Sequence, residues 1–205
     1  MSAGRKSVTN NKEWGTPPKI VDTIKEFWDG EIDLDPCSNE FSIVNAKVEY
    51  CLPRLDGLEE TWNFKRIFVN PPYGKDKERG TTIKDWISKC NCANVVYNSE
   101  VIALIPVATN TSHWKHNIFG NATNVCFLRD TRLKFLENGE YSKKGAPMAC
   151  ALVYWGMDNS EYGDTMIGGY ENYKNIEKFN KIFSKLGNCV DITNLIKVKY
   201  KLNNI

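Results

Sequence analysis

The chain has 205 residues, 41% of them apolar and 25% charged, with a net charge of +2. No run of about 18 apolar residues occurs, and the start Met1-Ser2-Ala3-Gly4-Arg5-Lys6 lacks an apolar signal core. These features exclude a membrane-spanning helix and fit one globular domain with a core of its own, soluble and cytosolic. The mild positive charge does not decide nucleic-acid binding, because a local basic stripe suffices. The seven cysteines (Cys37, Cys51, Cys90, Cys92, Cys126, Cys150 and Cys189) are odd in number and scattered. Cys90-Asn91-Cys92 lacks the spacer and the second pair of a zinc site. They read as reduced thiols, mostly core filler, and no metal site is expected.

Residues 1–12 are polar and are expected to be disordered. Thr16 then suits a helix N-cap and Pro17 the first helical position. Ile20, Val21, Ile24, Phe27 and Trp28 follow on one helical face. Glu31 to Ser38 reads as a short strand ending in Asp35-Pro36. The turn after it, Cys37-Ser38-Asn39-Glu40, contains no glycine.

Ile67-Phe68-Val69 is an apolar run ended by Asn70-Pro71-Pro72-Tyr73. It reads as a buried strand that stops abruptly. The prolines fix the backbone and remove two N–H donors, so an amide side chain and a carbonyl are held rigidly at the strand's end. In open α/β sheets that end is where ligands bind. Methyl transfer to an amino group conjugated with a ring or carbonyl needs such a set. The nitrogen lone pair is delocalised and weakly nucleophilic. The Asn70 side-chain oxygen and the Pro71 carbonyl can accept its two hydrogens, which favours a pyramidal nitrogen in the transition state. Tyr73 can stack on a ring flipped out of a duplex.

Only 35 residues separate Asp35 from Asn70. One strand–helix–strand crossover takes roughly 30 residues, so this half of the sheet must be abbreviated. Gly74 to Gly80 is a charged loop bounded by glycines, suited to a lid or a phosphate contact. Thr81 or Thr82 caps a helix marked by Ile83, Trp86 and Ile87. Val101 to Pro106 is a second buried strand, followed by Thr109, Asn110, Thr111, Ser112 and His113, with Trp114 and Phe119 in the next helix. Val125 to Leu128 and Ala149 to Trp155 are further strands, read as a pair closing the sheet. Between them lie Arg129, Arg132, Lys134, Lys143 and Lys144, against three acids, with a turn at Asn138-Gly139. The tail after 156 holds one amphipathic stretch, about 172–186, and seven lysines against three acids from Glu171 onward.

Taken in order, Thr16-Pro17, Asp35-Pro36-Cys37-Ser38, Asp56-Gly57-Leu58, Asn70 to Tyr73, Ile105-Pro106 and Arg132 to Phe135 resemble the phage-type DNA N-6-adenine methyltransferases. The resemblance covers about residues 13–156. It implies an α/β, Rossmann-like sheet, mostly parallel with a terminal antiparallel hairpin and abbreviated after its first strand, and a basic appendage over 157–205 packing on the domain. It implies S-adenosylmethionine as methyl donor and adenine N6 in double-stranded DNA as acceptor. The catalytic residues would be Asn70, Pro71, Pro72 and Tyr73. The donor would lie against Thr16, Asp35, Pro36, Cys37, Ser38 and Asp56, with Glu49 a weaker candidate for the ribose. DNA would meet His113, Arg129, Arg132, Lys134, Lys143 and Lys144. The glycine-free turn departs from the family pattern. Two other readings stay open: a methyltransferase acting on protein glutamine side chains, and a DNA-binding protein that has lost the donor.

Overall fold

The computed structural model describes residues 14–130, 132–156 and 170–193. The segment 1–12, expected to be disordered, lies outside the described residues, as do 157–169 and 194–205 of the tail.

The strands of the main sheet are β1 (Leu34–Asp35), β2 (Val48–Glu49), β3 (Arg66–Val69), β4 (Glu100–Pro106), β5 (Asn124–Leu128), β8 (Cys150–Trp155) and β9 (Gly187–Asp191). They lie in the order β2-β1-β3-β4-β8-β5-β9. β1 pairs in parallel with β2 and β3, and β3 with β4, while β8 is antiparallel to both β4 and β5, and β9 is antiparallel to β5. Five strands, β1 to β5, therefore run one way, and β8 and β9 run the other. A mixed α/β sheet of this kind is compatible with a methyltransferase fold. The 30 residues from Pro36 to Lys65 hold only the two-residue β2 and no helix, as the short spacing between Asp35 and Asn70 requires. β5 and β8 form the expected antiparallel pair, but they do not close the sheet, because β8 lies between β4 and β5 and β9 follows β5. β9, from the tail, extends the sheet by an edge strand that the sequence reading did not include.

Side chains alternate between the two faces of the central strands. Phe68, Ile102, Leu104, Leu152 and Tyr154 pack on one face with Ile20, Ile24 and Phe27 of α1 (Pro18–Phe27) and Phe179 and Phe183 of α3 (Tyr170–Phe183). Ile67, Val69, Val101, Ala103, Ile105, Val153 and Trp155 pack on the other with Trp86, Ile87 and Cys90 of α2 (Ile83–Tyr97). Burial on both faces explains why these strands read as continuous apolar runs. The Phe27 ring meets Phe179 edge-on at 5.8 Å and Phe183 at 5.6 Å, which fixes α3 against α1. Trp28 and Tyr154 both donate to Glu100 Oε2, at 3.0 and 2.8 Å, so this partly buried carboxylate is satisfied from two elements.

Two expected boundaries shift. The α1 N-cap is Pro17, one residue later than expected, and no side chain caps it. Thr16 is spent elsewhere. The helix expected at Trp114 and Phe119 is a single π-helical turn, Trp114–Ile118, that ends just before Phe119. Thr82 does cap α2, in a capping box with Asp85. The two-stranded hairpin β6 (Leu136–Glu137) and β7 (Glu140–Tyr141) turns at Asn138-Gly139, where both φ values are positive, 51° and 81°. Asn-Gly is the pair that tolerates such a turn.

Candidate active site

β1, β2, β3 and β4 run in parallel, so their carboxyl ends fall on one edge of the sheet. That edge receives Asp35, Glu49, the Asn70–Tyr73 motif and the segment after Pro106. β8 begins there and β5 ends there, so the excursion from Arg129 to Ala149 leaves and returns at the same edge.

Asn70 follows directly from β3. Its amide nitrogen donates to the Trp14 carbonyl at 2.8 Å and to Thr16 Oγ1 at 3.1 Å. Both amide hydrogens are used, so the side-chain oxygen is the group left to accept. The segment that holds Asn70 is itself held. Gly15 exchanges two backbone hydrogen bonds with Leu136, at 2.9 and 2.8 Å, and the Trp14 ring packs on Phe135 at 5.1 Å. Three positions after Asn70, the Tyr73 hydroxyl donates to the Leu104 carbonyl of β4 at 3.1 Å, and its ring meets Phe135 edge-on at 5.8 Å. Burial, with the Cys150 thiol alongside, pushes the Tyr73 hydroxyl well above its ordinary range, so it stays protonated. Phe135 thus joins the motif to the N-terminal segment through ring contacts with Trp14 and Tyr73 that no local pattern marks.

Asp35 ends β1 and is 4% exposed. Its Oδ1 accepts the Cys37 N–H at 3.0 Å, and no described residue donates to Oδ2. Burial pushes its carboxyl up to about 7; the Cys37 N–H offsets part of this, and the Glu49 charge adds to it. Cys37 is also raised, by burial first and by the Asp35 charge, while Arg79 and the Asn70 backbone N–H pull the other way. The Asp35–Ser38 turn and the Asn70–Tyr73 segment therefore touch at Cys37 and Asn70. Ser38 donates from its hydroxyl to Glu49 Oε2 at 3.0 Å, and its backbone N–H donates to the Tyr50 carbonyl at 3.0 Å.

The missing glycine of the turn has a counterpart across from it. A Cβ on Gly57 would lie 2.0 Å from the Pro36 carbonyl oxygen, so only glycine lets the Asp56-Gly57-Leu58 loop lie on the Asp35-Pro36-Cys37 turn. The two loops are thereby brought together at Gly57 and Pro36. Asp56 Oδ1 accepts the Leu58 N–H at 2.9 Å, and Oδ2 accepts Arg79 Nη1 at 2.6 Å. Burial would raise this carboxyl, but Arg79 and the Leu58 N–H outweigh that and hold it below the ordinary carboxylate range. Lys89 of α2 donates to the Leu58 and Glu60 carbonyls, and the Trp62 indole to the Gly57 carbonyl at 2.8 Å. Arg79 and Lys89 are contacts the sequence reading did not find. Each partner lies more than twenty residues away, and no local pattern marks it.

The basic residues divide into groups. Arg132, Lys134, Lys143 and Lys144 are exposed on the excursion that carries the β6–β7 hairpin. The Arg129 guanidinium instead donates to the Ser184 carbonyl at the end of α3, at 2.6 Å. His113 is half-buried, with Nε2 3.1 Å from Thr111 Oγ1. Burial and the Lys84 charge lower its imidazole below the ordinary range. Among the described residues no group of three His, Cys, Asp or Glu side chains is placed to hold a metal ion, and no helix is long and apolar enough to cross a membrane.

An α/β sheet with Asn-Pro-Pro-Tyr at the end of a central parallel strand, beside a buried acid at the end of the next, has the make-up of a methyltransferase enzyme. The chain belongs to the DNA N-6-adenine-methyltransferase (Dam) family, whose model matches residues 4–179. No curated protein and no solved structure matches it. The family implies methylation of adenine N6 in DNA.

Proposed function

We propose that the protein transfers a methyl group from S-adenosylmethionine to N6 of an adenine at a specific sequence in double-stranded DNA, the base being flipped out of the helix. The observation that carries this reading is the fixed amide of Asn70. With its nitrogen bound to Trp14 and Thr16, its oxygen is turned to accept from an incoming amino group. The Pro71 carbonyl takes the second hydrogen. Together they draw both N–H bonds away from the lone pair, which then points at the methyl carbon. This is preorganised stabilisation of developing charge. With a methylsulfonium donor bound, the nitrogen–carbon bond would form as the carbon–sulfur bond breaks and the nitrogen would lose its proton to water afterwards, so no residue of the chain need act as a general base. Pro72 keeps the backbone rigid, and the anchored ring of Tyr73 stacks on the flipped base.

The residues present fit a donor of this kind. Asp35 offers a buried carboxylate with one oxygen that no described residue occupies, suited to an ammonium or amino group. Pro36, Cys37 and Ser38 form the turn beside it, Asp56 the facing wall, and Thr16 the approach from the catalytic side. S-adenosylmethionine held there supplies a methyl group on a positively charged sulfur. On the DNA side, exposed Arg132, Lys134, Lys143 and Lys144 match a phosphate backbone; half-buried His113 and Arg129, whose guanidinium is bound to the Ser184 carbonyl, are further candidates for that contact. The test is mass spectrometry of nucleosides from duplex DNA incubated with the protein and S-adenosylmethionine. N6-methyladenine confined to one sequence context is expected. DNA bound without any donor binding would instead identify a protein that has lost the reaction.

A further inference from the structure

We propose that Arg79 is a positioning residue that clamps the donor loop to the loop leaving the catalytic motif, so that donor and DNA binding reinforce one another. The inference rests on the reading of Asp56 as part of the donor site and goes beyond it in assigning Arg79 and the 74–80 loop a role.

The loop from Gly74 to Gly80 starts directly after Tyr73. It is internally closed: the Asp76 N–H donates to the Thr81 carbonyl at 2.9 Å, and Asp76 Oδ1 accepts the Glu78 and Arg79 N–H groups at 3.0 and 3.3 Å. The Arg79 side chain then bridges outward. Its Nε donates to Asp76 Oδ2 at 3.1 Å and its Nη1 to Asp56 Oδ2 at 2.6 Å. The three side chains are 22%, 16% and 21% exposed. One guanidinium shared by two carboxylates at this depth is a network with fixed geometry, unlike an isolated surface pair. Asp56 is in turn one residue from Gly57, which lies on the Pro36 carbonyl. The backbone from Tyr73 to Asp76, then contacts through Arg79, Asp56 and Gly57, therefore join the catalytic motif to the Asp35 turn. Anything that orders the donor loop also orders the start of the lid beside the catalytic motif, and the reverse holds by linkage.

Two measurements test this. The first needs no donor: digestion with a lysine-specific protease, which cuts after Lys75 and Lys77 inside the loop. The wild type should be cut slowly at these sites, Arg79→Ala and Asp56→Asn at least roughly tenfold faster, and Arg79→Lys in between, with circular dichroism showing all four folded. The second is fluorescence anisotropy of labelled duplex DNA with and without S-adenosylhomocysteine. In the wild type the donor analogue should tighten DNA binding about five- to fifty-fold, a usual size for such coupling. In Arg79→Ala that factor should fall to about one, while Arg79→Lys keeps part of it. Equal cleavage in wild type and Arg79→Ala, or an unchanged coupling factor, would overturn the proposal. If the analogue and S-adenosylmethionine give no heat on titration into the wild type while its loop resists cleavage, the donor reading itself fails, and with it the coupling.

Discussion

Thr16 Oγ1 accepts a hydrogen bond from the Asn70 amide across 54 residues of sequence, at 3.1 Å. The hydroxyl that should cap α1 is instead used to orient the group at the centre of the site. Thr16→Val removes the acceptor and keeps the shape. Since a net hydrogen bond is worth about 1 kcal/mol, kcat should fall roughly 3–10-fold while donor affinity changes less than about twofold. Asn70→Ala should cost roughly 10²-fold in kcat or more, with donor affinity again nearly intact. Steady-state kinetics and calorimetric titration check both. A Thr16→Val variant that loses donor binding and keeps kcat would show that Thr16 acts on the donor alone and not through Asn70.

Tyr73 separates ring from hydroxyl. Tyr73→Phe leaves the ring against Phe135 and removes the hydroxyl's bond to the Leu104 carbonyl and its contact with the Cys150 thiol. It should lower stability by about 1 kcal/mol and affect turnover little. Tyr73→Ala should weaken the complex with a duplex carrying the target base by roughly 1–3 kcal/mol, the range for lost base stacking. Equal damage from the two substitutions, read by anisotropy against DNA, would show that the hydroxyl anchor and not the ring is what matters.

The features legible in the sequence are those whose cause is local. Ile67-Phe68-Val69 and Val101 to Ile105 read as strands because both faces are buried. Asn138-Gly139 reads as a turn because its backbone must be left-handed, and Asn70 to Tyr73 is a contiguous chemical unit. What escaped is non-local. Arg79 finds Asp56 from 23 residues away, and Lys89 finds the Leu58 carbonyl from 31. Thr16 had an equally good local use as a cap, and the tertiary partner won. β9, Gly187-Asn188-Cys189-Val190-Asp191, has mostly polar or exposed residues and too weak an alternation to announce a strand; its pairing with β5 comes from the edge that β5 offers.

Gly57 should tolerate no side chain. A Cβ there would meet the Pro36 carbonyl oxygen at 2.0 Å and its carbon at 2.9 Å, both backbone atoms that cannot swing aside. Gly57→Ala must push the Asp56–Leu58 loop off the Asp35–Cys37 turn. Donor affinity should fall at least about tenfold, with a lowered melting temperature. The neighbouring substitution Leu58→Met, which conserves volume, should leave both nearly unchanged. Normal donor binding by Gly57→Ala would show that the two loops do not form one site.

Asp35 makes the pH dependence readable. Its carboxyl titrates at about 7 in the folded protein because burial disfavours the charge, against 3.8 for the ordinary group. Below about pH 4 both folded and unfolded chains hold the proton. Between there and about 7 the unfolded chain gives it up while the folded chain keeps it, so this group's contribution to stability declines as pH rises, and levels off above 7. Urea unfolding at pH 5, 6, 7 and 8 should therefore show a downward trend that Asp35→Asn removes, because the amide is neutral throughout and its oxygen still accepts the Cys37 N–H. Comparing the two proteins isolates Asp35 from the depressed His113, whose own effect runs the opposite way and is common to both. S-adenosylmethionine carries a positive amino group at these pH values, so it should bind the charged carboxylate better. Its affinity for the wild type should rise from pH 6 to 8 and that for Asp35→Asn should stay flat and weaker. A donor affinity in the wild type that is constant over this range would remove Asp35 from the donor site, even if the stability trend is found.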